Sequence, residues 1–205
     1  MPKDGTATRT RILDAAERLV IENGYAATSV DQVVAASGSS KGAFFHHFSS
    51  KLELARTLVQ RYAEADVAQL RAAMAHAEAA TLDPVGRVEA FLQWFEDRYD
   101  TLLDEDTSCL YISILTEREL VLDGTSEPIL DAVIAWRTDL TRIIGAALQG
   151  GDTGLDAEAL ADHVFVTFEG AFLLARSTRD PSHMRTQLRV LRQLLGATLR
   201  NDVRR

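Results

Sequence analysis

The segment that most constrains the fold of this chain lies near its start, at residues 28–51, and has the sequence TSVDQVVAASGSSKGAFFHHFSSK. Its apolar spacing predicts two short helices joined by a tight turn and followed at once by a third helix. Gly38 is the turn residue, because glycine adopts a positive φ without steric cost. Ser39 or Ser40 then caps the second helix, whose first turn carries small and basic side chains. A helix–turn–helix of this kind has the geometry that enters the major groove of DNA.

The remainder of the chain predicts helices and no strands. Thr28 and Asp31 form the capping pattern of the first short helix, and Ser50 with Glu53 forms another at the start of a long helix. Proline, glycine and acidic capping residues mark the other boundaries. The prediction is an all-α protein of about nine helices, at about residues 8–23, the two short helices, 50–77, a helix opened by Asp83-Pro84, 109–120, 126–148, 156–176 and 182–200.

The composition is that of an ordinary globular protein with unevenly distributed charge. Of 205 residues 46% are hydrophobic, which is enough for a sizeable core. The net charge is −8, but residues 1–51 hold six basic and five acidic residues, a net +1 that leaves −9 for the rest. This asymmetry permits the N-terminal end to approach DNA phosphates. With one cysteine, no secretory signal and no apolar run of membrane length, we expect a cytoplasmic protein that has no internal disulfide and does not bind a membrane.

The order of these motifs resembles one protein family. SSKGAFFHHF followed by SSKLELA is similar to the pattern of the TetR/AcrR family of bacterial transcriptional regulators, roughly S-K-G-x-L-Y-x-H-F, a two-residue spacer and Lys. The likeness is close over residues 1 to about 60, and beyond them it extends to helix number, length and order. One position departs from the pattern, because Phe45 stands where the family has a tyrosine whose hydroxyl meets a phosphate. That contact is lost here or is taken over by His46.

The resemblance implies a homodimer that binds a palindromic double-stranded DNA operator and responds to a small-molecule effector. Residues 1–51 are predicted to be the helix–turn–helix DNA-binding domain, and residues 52–205 a helical ligand-binding and dimerisation domain. The long helix of about residues 50–77 links the two. The expected function is ligand-responsive transcriptional regulation, with repression released by a hydrophobic or aromatic inducer.

Within the first domain, helix N-termini and basic groups are expected to bind phosphates, and small or polar side chains to face the bases. Lys41 is suited to donate to guanine O6 or N7, and Phe45 to touch a sugar or a thymine methyl group. Phe44 and Phe48 are expected in the core. The predicted DNA-binding residues are Thr28, Ser29, Ser39, Ser40, Lys41, Gly42, Ala43, Phe45, His46, His47 and Lys51.

Within the second domain, aromatic residues of the middle helices predict a pocket for the effector. Glu169 lies in an apolar run, so a buried carboxylate is expected there, with an effector group or an arginine such as Arg176 as its partner. Cys109 is either a packed cysteine or a redox sensor. The predicted ligand-binding residues are Phe91, Trp94, Phe95, Tyr99, Cys109, Tyr111, Trp136, Phe165, Phe168 and Glu169.

Apolar stripes on the last two helices predict an isologous four-helix dimer interface. A core face within one chain is the alternative explanation of these stripes. The residues predicted for the interface are Leu160, Val164, Phe172, Met184, Leu188, Leu191 and Leu195.

Two other classes of function compete with a regulator. An enzyme is disfavoured, because the sequence has no Gly-rich phosphate loop, no H-E-x-x-H and no G-x-S-x-G motif. No metal site or cofactor is predicted either, since the five histidines and one cysteine are poorly spaced for ligation. The second alternative is a helical ligand-binding or interaction module that has lost DNA binding. Salt-dependent, sequence-selective DNA affinity distinguishes this module from a regulator.

Overall fold

The computed structural model describes residues 5–102, 110–148 and 154–203, and these ranges contain helices and no strand. The predicted all-α fold is confirmed. There are ten helices rather than about nine in these ranges, because two short helices replace the one predicted at 109–120. The helices are α1 (Gly5–Asn23), α2 (Val30–Ser37), α3 (Lys41–His47), α4 (Lys51–Ala80), α5 (Pro84–Leu102), α6 (Leu110–Leu115), α7 (Arg118–Leu122), α8 (Glu127–Leu148), α9 (Ala157–Thr178) and α10 (Ser182–Val203).

The start of α2 differs by one residue from the prediction. Ser29, not Thr28, is the N-cap, and its hydroxyl accepts a hydrogen bond from the backbone N–H of Gln32. The Gln32 side chain accepts the N–H of Ser29 in return, which completes a capping box. Thr28 is buried instead, and its hydroxyl bonds to the carbonyl oxygens of Leu19 and Gly24. Asp31 lies in the first turn of α2 without the predicted capping role.

Other boundary residues act as predicted. Gly24 and Gly38 have φ values of +83° and +61°, in the left-handed region that stops α1 and α2. The hydroxyl of Ser40, the N-cap of α3, accepts the N–H of Ala43. Asp83 accepts the N–H of Gly86 at the start of α5, and Asp156 caps α9. Side-chain oxygens thus satisfy backbone donors that helices leave free at their N-termini.

The described residues form two compact units. The first holds the described residues of 1–65 and 109–131, and the second those of 66–108 and 132–205. In the first unit, α1 packs against α2, α3 and α6. Its core includes Ile12, Ala16, Val20, Val33, Phe44, Phe48, Leu54, Leu58, Leu110, Ile114 and Leu120. The functional boundary proposed between residues 51 and 52 stays a prediction.

In the second unit, α10 packs against α5 and α9 around one large apolar core. One carboxylate, Glu96 on α5, is buried beside this core and is held by Arg189 and Arg192 of α10. None of the helices in the described ranges combines the length and apolar character that a membrane span requires.

Candidate nucleic-acid interface

The helix–turn–helix presents one face of α3 to solvent and buries the other. Phe44 and Phe48 are buried in the first unit, with ring centroids 5.8 Å apart, as the sequence predicted. Phe45 stands edge-on to Phe44 but is 53% exposed. The two buried rings therefore fix the helix, while the residues between them on the chain remain accessible.

Most residues predicted to bind DNA are accessible on this surface. Their exposure differs, because α3 lies with one side against α1 and α2. The exposed members are Ser29, Ser40, Lys41, Gly42, Phe45 and His46, and the half-buried members are Ser39, Ala43, His47 and Lys51.

Thr28 is the exception, because its residue is only 3% exposed. Its hydroxyl oxygen lies 2.8 Å from the carbonyl oxygen of Gly24 and 3.2 Å from that of Leu19, and donates a hydrogen bond to these carbonyls. The Thr28 hydroxyl therefore has a structural role, since it is buried and hydrogen-bonded, and a phosphate contact at this helix start stays a prediction. Ser29, which follows it, is exposed and begins the helix.

The ammonium group of Lys41 at the start of α3 lies 2.8 Å from the carboxylate of Asp31 on α2. Both side chains are well exposed, so the pair contributes little to stability and exchanges readily. Lys41 therefore lies on the exposed face of the motif, where other acceptors can compete with the carboxylate of Asp31.

Lys51 lies at the first turn of α4, close to the loop between α1 and α2. Its ammonium nitrogen is 4.0 Å from the centroid of the Tyr25 ring and donates to the carbonyl of Ala26 at 3.4 Å. Burial lowers the pKa of Lys51, and the charges of Glu119 and Glu117 oppose that effect. The cation is thus held by an aromatic face and one carbonyl, which leaves donor capacity for a phosphate oxygen.

Ser39 and Ser40 differ in what their hydroxyls do. The Ser39 oxygen lies 2.8 Å from that of Ser37, inside the turn, whereas Ser40 caps α3. Both side chains therefore have a structural role. Removal of either hydroxyl is expected to change the turn as well as the exposed surface.

The predicted effector residues of the second unit assemble into a buried aromatic cluster. Phe91, Phe95, Trp136 and Phe168 meet at ring-centroid distances of 4.9 to 5.9 Å, each at most 6% exposed. Trp94 and Phe165 pack at its edge, half-buried. The indole N–H of Trp136 donates to Asp66 at 2.7 Å, which satisfies the one polar atom of this ring. Effector binding by these residues stays a prediction.

The other four residues predicted to bind the effector do not belong to this cluster as described. Glu169 is half-buried rather than buried, so the expected carboxylate enclosed in the apolar core is wrong. Cys109 and the side chains of Tyr99 and Tyr111 lie outside the described residues.

Five of the seven residues predicted for a dimer interface lie in the core of the second unit instead. Val164, Met184, Leu188, Leu191 and Leu195 are at most 4% exposed and form the core of the second unit. Leu160 and Phe172 are half-buried against the same core. The stripes follow the alternative explanation, a core face within one chain. The large apolar residues that α9 and α10 leave exposed are Val166, Leu173, Leu174, Val190 and Leu194.

Two residues that contact the helix–turn–helix region from outside its motif had no signal in the sequence. Tyr25, whose ring lies under the Lys51 ammonium, directly follows Gly24, and no sequence motif marks it. Glu117 accepts a hydrogen bond from Ala26, 91 residues earlier in the chain. A pattern within one helix cannot reveal such pairs, because they depend on how separate elements pack. Within the described part of the chain, no cluster of three or more His, Cys, Asp or Glu side chains has the geometry of a metal site.

Comparison with known proteins agrees with a helix–turn–helix regulator. A family model for bacterial regulatory proteins of the tetR family matches residues 12–58, which include most of α1, all of α2 and α3, and the start of α4. The HTH-type transcriptional repressor DhaR of Mycobacterium sp. strain GP1 is 24% identical over 180 residues, or 85% of each chain. The class of protein is therefore a helix–turn–helix transcriptional regulator.

Solved structures show the same fold over nearly the whole chain. A TetR-family regulator from Agrobacterium tumefaciens has a TM-score of 0.73 at 22% identity, over 93% of this chain and 98% of that one. A TetR regulator from Chloroflexus aurantiacus has a TM-score of 0.72 at 26% identity, over 97% and 96%. The helix–turn–helix at residues 12–58 is therefore of the TetR type, and the described chain has the fold of TetR-family transcriptional regulators, which bind DNA and are not enzymes.

Proposed function

We propose that this protein is a homodimeric repressor that binds a palindromic operator and is released by a small hydrophobic or aromatic effector. The observation that carries the proposal is the exposed surface of the helix–turn–helix, which holds Lys41, Phe45 and His46 of α3 and the exposed N-cap residues Ser29 and Ser40. Helix N-termini bind phosphate oxygens, and exposed side chains between them reach base edges. Residues 1–51 are the proposed DNA-binding domain, which acts in the cytoplasm.

A homodimer is proposed because two recognition helices about 34–36 Å apart fit successive major grooves. The exposed apolar side chains of α9 and α10 support an interface there, since solvent-exposed leucines and valines on adjacent helices favour burial by a second copy. They replace the residues that the stripes had suggested, and residues 52–205 remain the proposed ligand-binding and dimerisation domain.

The effector is proposed to bind near the aromatic cluster of the second unit. The half-buried rings of Trp94 and Phe165 lie at the edge of this cluster. An aromatic surface of this kind suits a hydrophobic or aromatic molecule. Such a molecule releases DNA only if it binds better to a conformation in which the recognition helices do not match the operator.

The decisive experiment is a fluorescence-anisotropy titration with a duplex from upstream of the protein's own gene and with a scrambled duplex. We expect tighter binding to the first, two subunits per site, and an affinity that falls steeply with salt. The variant K41A should weaken operator binding by about 1–3 kcal/mol and reduce the preference over the scrambled duplex. The matched control is R71A, which removes an exposed cation on α4 far from the helix–turn–helix in sequence.

Equal and feeble binding of both duplexes, followed by failure of a selection from random or genomic DNA, would contradict the repressor.

Effector binding is tested separately, by adding a panel of aromatic compounds to the complex of the protein with its operator. Both tryptophans of the chain, Trp94 and Trp136, belong to or border the aromatic cluster, so intrinsic fluorescence follows binding directly. Quenching without loss of anisotropy would oppose an inducer role for that compound.

A further inference from the structure

The turn between α6 and α7 contacts the loop that leads into α2. One carboxylate oxygen of Glu117, at this turn, accepts a hydrogen bond from the backbone N–H of Ala26 at 3.1 Å. A Cβ atom placed on Gly24 would lie 3.2 Å from the same oxygen, so the carboxylate lies directly against the loop. Gly24 therefore serves two purposes, a positive φ and a close approach by Glu117.

Glu117 is held by a well-anchored segment. Ile114 and Leu120, three residues to either side, are fully buried in the first unit. Further along, Asp123 forms an ion pair with Arg56 of α4 at 3.1 Å and also accepts the N–H of Thr125. Because both flanks are fixed to the unit, the carboxylate is a fixed acceptor for the loop rather than a mobile surface group.

The same loop residue also contacts a predicted phosphate ligand. The carbonyl of Ala26 accepts a hydrogen bond from Lys51, whose ammonium group also covers the Tyr25 ring. Ala26 thus bonds to Glu117 through its N–H and to Lys51 through its carbonyl. Three residues further on lies Ser29, the exposed N-cap of α2. The position of the loop sets the positions of both candidate phosphate contacts.

We propose that Glu117 is a positioning residue for DNA binding, which holds the α1–α2 loop so that Lys51 and the N-terminus of α2 meet the phosphates together. The proposal rests on the proposed function, since it concerns the DNA contacts of that function. It also assigns a role in operator binding to the segment 110–131, which lies outside the predicted DNA-binding domain.

The charge and the hydrogen bond of Glu117 have opposite expected effects on DNA. A negative charge near Lys51 disfavours an approaching phosphate, whereas the hydrogen bond favours binding because it orders the loop. The variant E117Q retains an oxygen acceptor and removes the charge. The variant E117A removes both, and E117D keeps the charge on a side chain too short to reach Ala26.

The experiment measures the affinity of the full-length protein for a labelled mixed-sequence duplex of about three helical turns, at salt concentrations between about 50 and 200 mM. E117A and E117D should bind about three- to tenfold more weakly than wild type, the range that one net hydrogen bond supplies. E117Q should bind at least as tightly as wild type. E119Q is the matched control, because it removes a charge two residues away and leaves the Glu117–Ala26 hydrogen bond intact.

A double-mutant cycle with K51M tests the coupling. K51M alone should lower the slope of log affinity against log salt by about 0.9, the value for one lost phosphate contact. E117A should lower the slope in the same direction, and its loss of affinity should shrink in the K51M background. Melting curves show whether each variant is folded. If E117A does not fold, E117D replaces it in the cycle.

The proposal is overturned if E117A and E117D bind like wild type, if E117Q binds as weakly as E117A, or if the E117A loss is unchanged in K51M. Failure of the proposed function gives a different result, because wild type itself would then show no salt-dependent binding to any duplex. In that case the inference falls with the function on which it rests.

Discussion

Phe44 and Phe45 are adjacent in α3 and of the same type, yet they have opposite surroundings. Phe44 is fully buried, and Phe45 is 53% exposed. We expect F44A to lower the free energy of unfolding by about 3–5 kcal/mol. We expect F45A to change it by about 0.5 kcal/mol or less. DNA affinity should fall roughly tenfold in F45A, because the exposed ring buries apolar area against sugars or a thymine methyl group.

Chemical denaturation and anisotropy titration of the same two variants check this contrast. A stable F45A protein with unchanged DNA affinity would remove Phe45 from the interface. The variant F45Y adds the hydroxyl that the family pattern has at this position, and it tests whether a phosphate lies within reach of the ring.

Glu96 carries a pH-dependent part of the stability. Burial disfavours its ionised form, but hydrogen bonds from Arg189 and Arg192, at 2.8 and 3.0 Å, outweigh burial and lower its pKa. A carboxyl whose pKa is lower when folded stabilises the protein above its unfolded pKa of about 4.3, and this contribution is lost as pH falls through the folded pKa. E96Q should therefore cost stability at pH 7 and very little at the acid end.

The expected cost at neutral pH is about 2–3 kcal/mol, below the range for a fully buried pair, because both arginines reach solvent. Thermal unfolding of wild type and E96Q at a series of pH values measures this loss of stability. D97N, which neutralises an exposed carboxylate one residue further on, is the control and should shift stability by about 0.5 kcal/mol or less. A difference between wild type and E96Q that is independent of pH would contradict this assignment.

At the scale of elements, the turn between α2 and α3 depends on one backbone conformation. Gly38 has a φ of +61°, and an added Cβ would meet no atom within 4 Å, so G38A introduces backbone strain without a clash. It should destabilise the protein by about 1–2 kcal/mol. Gly42, inside α3, is the matched position, and G42A should stabilise by about 0.5–1 kcal/mol because alanine favours a helix.

Urea unfolding of the two variants without DNA gives both signs in one experiment. Equal effects of G38A and G42A would mean that the left-handed turn is not what ends α2.

Helix boundaries were predictable where a cap is local. Asp156, Ser40 and Gly38 act as the sequence predicts, because a cap needs residues only three or four positions apart. The predicted helix at 109–120 was wrong, since the described residues form two short helices with Glu117 at the turn between them. No proline or glycine marks that turn. Its position follows from tertiary contacts, above all the burial of Ile114 and Leu120.

At the scale of the whole molecule, the proposed dimer can be tested on one exposed leucine. Leu194 on α10 is 63% exposed, and L194E should convert the dimer to a monomer by placing a charge in the interface. Operator affinity should fall as well, because two linked half-sites bind more tightly than one. Analytical ultracentrifugation measures the first effect, and anisotropy titration measures the second.

The control is L122E, at a leucine on α7 that is 73% exposed. It makes the same chemical change on another helix and should leave the oligomeric state unaltered. A dimer that survives L194E, V166E and L173E would exclude the exposed faces of α9 and α10 as the interface.

The all-helical fold, the helix–turn–helix and the exposed residues of α3 could be predicted from the sequence, because helix periodicity, caps and turns are local properties. Which apolar stripes became core depended on tertiary packing, as Met184 and Leu188 show. Tertiary packing also decided that Thr28 is buried, that Lys51 lies on Tyr25, and that Glu117 reaches the α1–α2 loop. These outcomes depend on contacts between elements distant in the chain, and a periodic pattern specifies an apolar face without specifying what covers it.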